Sequence, residues 1–67
     1  MIHTIRTFSL SGESIHEKTF ETAEKAYECY LDIIVYLKKT LPKGFGVNVV
    51  RFKNEKVVTM ETVIGTK

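Results

Sequence analysis

The sequence predicts a small α+β domain in which one helix packs across one face of a four-stranded sheet, in the order ββαββ. Three observations lead to this prediction. Residues 22–40 have apolar side chains at helical spacing, the segments on either side alternate as strands do, and short polar turns divide those segments into two hairpins. One helix laid on one sheet is the two-layer arrangement that buries both apolar sides. We expect this single domain to span residues 1–67.

The helix is the most clearly marked element. At about 100° per residue its apolar positions form one stripe. That stripe consists of Ala23, Ala26, Tyr27, Tyr30, Ile34 and Leu37, with Ile33 at its margin. Thr22 suits the N-cap, and Lys38 and Lys39 suit the negative end of the helix dipole. Pro42 and Gly44 then predict the end of the helix.

The flanking segments predict two hairpins. The first joins residues 2–10 to residues 15–20 through a turn that contains Gly12, and the second joins residues 45–52 to residues 57–64. If Asn54-Glu55 is a two-residue loop, Val49 pairs with Met60. This register places Phe45, Val47, Val49, Val58, Met60 and Ile64 under the helix. It leaves Val50, Phe52, Val57 and Val63 on the other face, with Ile5 and Phe20 as further candidates there.

In element order the chain resembles the small immunoglobulin-binding β-grasp domains, and Thr22-Ala23-Glu24-Lys25 at the start of the helix is similar to theirs. The resemblance implies that strands 1 and 4 lie side by side and parallel in the centre of the sheet. The alternative is an antiparallel sheet with a different strand order. Because one fold hosts many unrelated roles, the resemblance implies no function.

Composition is that of an ordinary globular protein, with 43% hydrophobic and 27% charged residues. No apolar run approaches the roughly 20 residues of a membrane span, and residues 1–10 lack the order of a signal peptide. Cys29 is the one cysteine, so no disulfide forms within the chain. We therefore expect a cytoplasmic protein that does not contact a membrane.

Nothing in the sequence predicts catalysis, a cofactor or a metal. His3, His16 and Cys29 are too far apart in sequence for the usual ligand spacing. Glu24, Glu28 and Asp32 follow the spacing of a solvated helix face rather than of a catalytic pair. We expect no enzyme.

Surplus apolar residues favour association with another protein. The sequence predicts an interface formed by Val50, Phe52, Val57 and Val63 on the sheet and by Leu31, Val35 and Tyr36 on the helix flank. The hypothesis is a small non-catalytic adaptor or modulator, such as a regulatory or inhibitory protein of a bacterium or phage. We expect it also to form a homodimer.

The alternative hypothesis is a nucleic-acid-binding module. Residues 1–30 carry a net charge of −2 and residues 31–67 a net charge of +4. The candidate contacts are Lys38, Lys39, Lys43, Arg51, Lys53 and Lys56, which we expect to converge where the helix ends and the last hairpin turns. Phe52 lies among them in the sequence and is placed to stack on a base.

Overall fold

A computed structural model describes residues 2–66 and confirms the α+β fold with the order ββαββ. Its elements are β1 (His3–Ser9), β2 (Ser14–Phe20), α1 (Ala23–Thr40), β3 (Gly46–Lys53) and β4 (Lys56–Ile64). The strands form one antiparallel sheet in the order β2-β1-β3-β4. We call the side covered by α1 the helix face and the other side the open face.

This strand order confirms the alternative, and the β-grasp-like arrangement with β1 and β4 parallel in the centre is wrong. Both predicted hairpins form, but the second one places β3 rather than β4 beside β1. The apolar composition of β3 on both faces explains this choice. Val47 and Val49 are buried on the helix face and Val50 is buried on the open face. A strand that is apolar on both faces is best satisfied in the centre of a sheet.

Helix α1 follows its sequence signals at both ends. The Thr22 hydroxyl accepts a hydrogen bond from the Lys25 N–H at 3.3 Å, and the Leu41 N–H donates to the Leu37 carbonyl at 2.9 Å. The side chains that α1 contributes to the core are Ala26, Tyr30 and Ile34, with Ile33 and Leu37 partly buried beside them. Of the predicted stripe, only Ala23 and Tyr27 are exposed.

The core lies between α1 and the two central strands. Ile5 of β1 and Val49 of β3 are fully buried beneath the helix, and Phe20 packs at the margin of the same cluster. Ile5 and Phe20 therefore belong to the helix face, and their suggested place on the other face is wrong.

The predicted loop Asn54-Glu55 forms, with φ of 49° and 69° at its two residues. The pairing expected from that loop holds for the first two residue pairs, Lys53 with Lys56 and Phe52 with Val57. An extra residue then enters β4, so that Arg51 pairs with Thr59 and Val50 with Met60. This β-bulge inserts Val58 and shifts the rest of β4 by one residue.

A shift of one residue exchanges the two faces of a strand. Val63, predicted on the exposed face, is only 2% exposed and lies in the core beneath α1. Met60 and Ile64, predicted beneath the helix, are on the open face, where they pair with Val50 and Gly46. Phe45 precedes β3 and is exposed. The predicted register is thus wrong for β4 beyond the bulge.

Candidate protein interface

An apolar patch lies on the open face, beside β4. We define this apolar patch by its residues Leu10, Val50, Phe52, Val57, Met60 and Ile64. Val57, Met60 and Ile64 are 63%, 62% and 53% exposed. Val50 is only 6% exposed, because Arg6 and Met60 lie opposite it on the two neighbouring strands. The patch therefore has a closed floor and an exposed apolar rim.

Gly46 allows the two ends of the patch to meet. A Cβ at this position would lie 2.6 Å from Leu10 Cδ1 and 2.9 Å from Ile64 Cδ1. The side chains of Leu10 and Ile64 therefore close over the backbone of β3 at Gly46. The absence of a side chain makes the apolar surface continuous from the end of β1 to β4.

Polar contacts bound the patch on the side of β1. The Arg6 guanidinium lies 4.9 Å from the centroid of the Phe52 ring and forms an ion pair with Glu17. Its Nη2 atom is also 3.7 Å from Glu55 Oε1. Arg6 is thus held over Phe52, with its charge directed toward the two carboxylates.

The free edge of β4 presents unused backbone groups. The Gly65 N–H donates to the Phe45 carbonyl at 2.8 Å, in line with the pairing of β3 and β4. Alternate residues of an antiparallel strand direct their N–H and C=O groups to opposite sides. The backbone groups of Met60, Thr62 and Ile64 therefore point away from β3, toward the edge of the sheet. The apolar patch thus ends at a strand edge able to accept another strand.

The predicted helix residues lie on the far side of the sheet from this patch. Leu31, Val35 and Tyr36 are all exposed on α1, which packs on the helix face. Tyr36 lines a groove between α1 and β2 together with Cys29 and Lys18. The predicted interface is thus divided between two sides of the molecule, and of its four sheet residues Val50 and Val63 are buried.

The groove beside β2 holds the one cysteine. Burial raises the pKa of the Cys29 thiol above its ordinary value, nearby Lys18 lowers it, and Asp32 raises it. Because the net shift is upward, the thiol stays protonated near neutral pH and is a poor nucleophile. Within residues 2–66 no cluster of histidine, cysteine and carboxylate side chains has the arrangement of a metal site.

The six basic candidates separate into groups. Lys38, Lys39 and Lys43 lie at or just beyond the C-terminal end of α1, whereas Lys53 and Lys56 flank the β3–β4 turn. The length of β3, roughly 25 Å at the rise of a strand, separates these two groups.

Arg51 belongs to neither group. It is on the helix face, with its guanidinium 5.3 Å from the ring centroid of Tyr27. The predicted convergence of the six basic side chains is therefore wrong.

Sequence reasoning missed Met60, Ile64 and Leu10 as members of the site. For the first two the cause is the bulge at Val58, and the adjacent pair Val57-Val58 was its only trace in the sequence.

Comparison of the chain with protein-family models, curated proteins and solved structures finds no match in any of the three. Among residues 2–66, no helix has the length and apolar character needed to cross a membrane.

Proposed function

We propose that this chain is a non-catalytic protein-binding domain, an adaptor or modulator whose partner docks on the apolar patch. The observation that carries the proposal is the joint exposure of Val57, Met60 and Ile64 on a face that α1 does not cover. Contiguous exposed apolar surface on a small domain is typical of a protein interface. Val50 is buried at the centre of the patch, so the exposed side chains pack against it.

Charge at one end of the patch adds orientation. Lys53 and Lys56 pair with each other beside the β3–β4 turn, where alternation places them on the helix face just beyond the end of the patch, and within residues 2–66 neither forms an ion pair. A partner that places a carboxylate near these lysines relieves their repulsion. Such charges at the border of an interface act on association rate and orientation more than on affinity. We expect a partner that is apolar at its centre and acidic toward the turn.

The proposal is tested with two variants that carry the same change on opposite sides of the molecule. Val57→Glu places a carboxylate in the patch, and Val35→Glu places one on the exposed surface of α1. Both positions are exposed, so folding is expected to survive in each, which circular dichroism checks. The binding measurement is quantitative capture of partner proteins by tagged wild type and each variant, after nuclease treatment.

We expect Val57→Glu to reduce capture about tenfold or more, in the range of an interface residue that matters. Val35→Glu should capture as the wild type does. Equal capture by all three proteins would contradict the proposal. Capture that nuclease abolishes, and that Lys53→Glu with Lys56→Glu also removes, would favour the nucleic-acid alternative instead.

A further inference from the structure

We infer that β4 pairs with β4 of a second copy, antiparallel and about a two-fold axis at Thr62, to join two sheets into one. This inference rests on the proposed function, because it names a second copy of the chain as one partner of the apolar patch. The observations behind it are the free backbone groups of the β4 edge, the residues beside them and the position of the bulge.

The backbone geometry supplies the bonds. At Thr62 on the axis, the N–H of each copy donates to the Thr62 carbonyl of the other. Met60 lies opposite Ile64 of the second copy, and Ile64 opposite Met60. These are the residues whose backbone groups point to the edge. Their exposed apolar side chains meet across the new pair on the open face.

The register follows from excluding the neighbouring positions of the axis. The two-fold axis must place one residue opposite the same residue of the second copy. Only then do the residues paired across the new edge come from the same face, so that both helices lie on one side of the joined sheet. An axis at Val63 pairs Glu61 with Gly65, which lies beyond the end of β4 at Ile64. An axis at Glu61 places two carboxylates directly opposite each other. An axis at Met60 sets Thr62 opposite Val58, where the bulge breaks the ladder. An axis at Thr62 uses residues 60–64, which pair regularly with β3.

A second copy fits this edge better than a heterologous arrangement of the same chains. Pairing of β4 with β2 of another copy leaves one free edge on each side and grows an open filament. The edge β2 also carries His16, Glu17 and Lys18 in succession, which opposes strand addition. Pairing of β4 with itself closes after two copies and joins the two apolar patches into one surface.

The first test compares Thr62→Pro with Thr62→Ala by light scattering and sedimentation across a concentration series. Proline removes the edge N–H of Thr62 without removing a bond between β3 and β4. Alanine keeps that N–H and controls for the hydrogen bond that the Thr62 hydroxyl forms with Asn48 at 2.6 Å.

We expect wild type and Thr62→Ala to dimerise at high concentration. Thr62→Pro should weaken the dimer about tenfold or more, the equivalent of about 1.4 kcal/mol. A wild type that remains monomeric at every concentration would overturn the inference. So would a dimer that Thr62→Pro leaves unchanged.

A second pair of variants decides the matter if Thr62→Pro does not fold. Met60→Lys and Thr19→Lys place the same charge on the open face of the two edge strands, β4 and β2. Loss of the dimer in Met60→Lys alone supports pairing through β4. An equal response of both variants contradicts it.

Disulfide trapping tests the register. In a Cys29→Ser background, Thr62→Cys places two sulfur-bearing residues about 5.5 Å apart at Cα across the axis, within the range of a disulfide. Glu61→Cys residues lie about 8 Å apart in this register, so they should cross-link poorly. Faster cross-linking of Glu61→Cys than of Thr62→Cys would overturn the assigned axis.

These outcomes separate the inference from the proposed function. A strict monomer whose capture of other proteins is still abolished by Val57→Glu overturns the β4 pairing and leaves the protein-binding proposal standing. A dimer that Thr62→Pro disrupts, in a chain that captures no other protein, supports the pairing and overturns the adaptor role.

Discussion

The strands β2 and β4 are the two edges of one sheet, yet their exposed sides differ in chemistry. On β2, Glu17 lies on the open face in an ion pair with Arg6, and Lys18 lies on the helix face opposite Ile5. On β4, Glu61 carries a charge on the helix face, opposite Val49. The open face of β4 has none.

The difference shows how a small sheet directs association to one side. Charges on both faces of an edge make a second strand costly to add there, because pairing must desolvate them. A charge on one face only, as at Glu61, leaves the other face and the backbone groups available. Alternate residues of β4 therefore serve the core and the surface separately.

The largest expected effect comes from a substitution on the buried side of β4. Val63→Asp places a carboxylate in the core beneath α1 and should lower the free energy of unfolding by about 4 kcal/mol or more. Met60→Asp, at an exposed position of the same strand, should cost about 1 kcal/mol or less. Urea unfolding followed by circular dichroism, at a concentration where the protein is monomeric, measures both. Similar losses in the two variants would contradict the assigned faces of β4.

A second prediction concerns variants that remove the difference in charge between the edge strands β2 and β4. Glu17→Thr with Lys18→Val takes the charges off β2 and should make it a second adhesive edge. We expect assemblies larger than a dimer, seen as a mass that keeps rising with concentration in light scattering. Glu24→Thr with Lys25→Val makes the same change of composition on exposed positions of α1. If both double variants have the same mass, the charges on β2 do not protect that edge.

The smallest expected effect concerns the groove beside β2. Because burial raises the pKa of Cys29, less thiolate is present at a given pH, and alkylation by iodoacetamide should be slower than in the urea-unfolded chain. The midpoint of its pH profile should lie above that of the unfolded chain. Lys18→Met removes a cause that lowers this pKa and should slow alkylation further, whereas Lys38→Met should not.

Mass spectrometry of the alkylated protein over a pH series gives these rates. Alkylation of the folded chain that is as fast as that of the unfolded chain would contradict the burial of Cys29. A rate unchanged by Lys18→Met would contradict the position of Lys18 on the helix face.

Local features of the fold were predictable from the sequence. The apolar spacing, the Thr22 cap and the Pro42 stop depend on neighbours in the chain, and α1 follows them. The turn at Asn54-Glu55 is equally local, and it forms as predicted.

The strand order was predicted only as one of two alternatives, because it depends on pairing between distant segments. Whether β3 or β4 lies beside β1 is decided by packing on both faces at once. The burial of Val47, Val49 and Val50 is a property of the assembled sheet. The β propensity of these valines predicts a strand, but it does not identify the strand that pairs with it.

The candidate site was predictable only in part. Phe52 and Val57, which precede the bulge, were placed on the correct face, whereas Val63, Met60 and Ile64, which follow it, were exchanged. Each residue after the extra Val58 inherits the shift. Hydrophobic alternation favours the arrangement without the bulge, because regular pairing places Val58, Met60 and Ile64 in one apolar row beneath the helix, whereas the observed helix face of β4 carries Thr59, Glu61 and Val63.

The bulge at Val58 therefore determines which face of the sheet each later residue of β4 occupies. Loss of Val58 would leave Thr59 opposite Arg51 and Met60 opposite Val50 in a regular ladder, with both faces of β4 unchanged. A ladder that kept Val58 and paired it with Arg51 would instead turn Met60 and Ile64 toward α1 and bring Val63 and Glu61 to the outer surface. The regular arrangement would give the helix the apolar residues Val58, Met60 and Ile64, whereas the bulged one gives it only Val63 and leaves Met60 and Ile64 free for a partner. Any substitution that favours regular pairing of β4 over the bulge would therefore remove Met60 and Ile64 from the surface without altering the order of the strands.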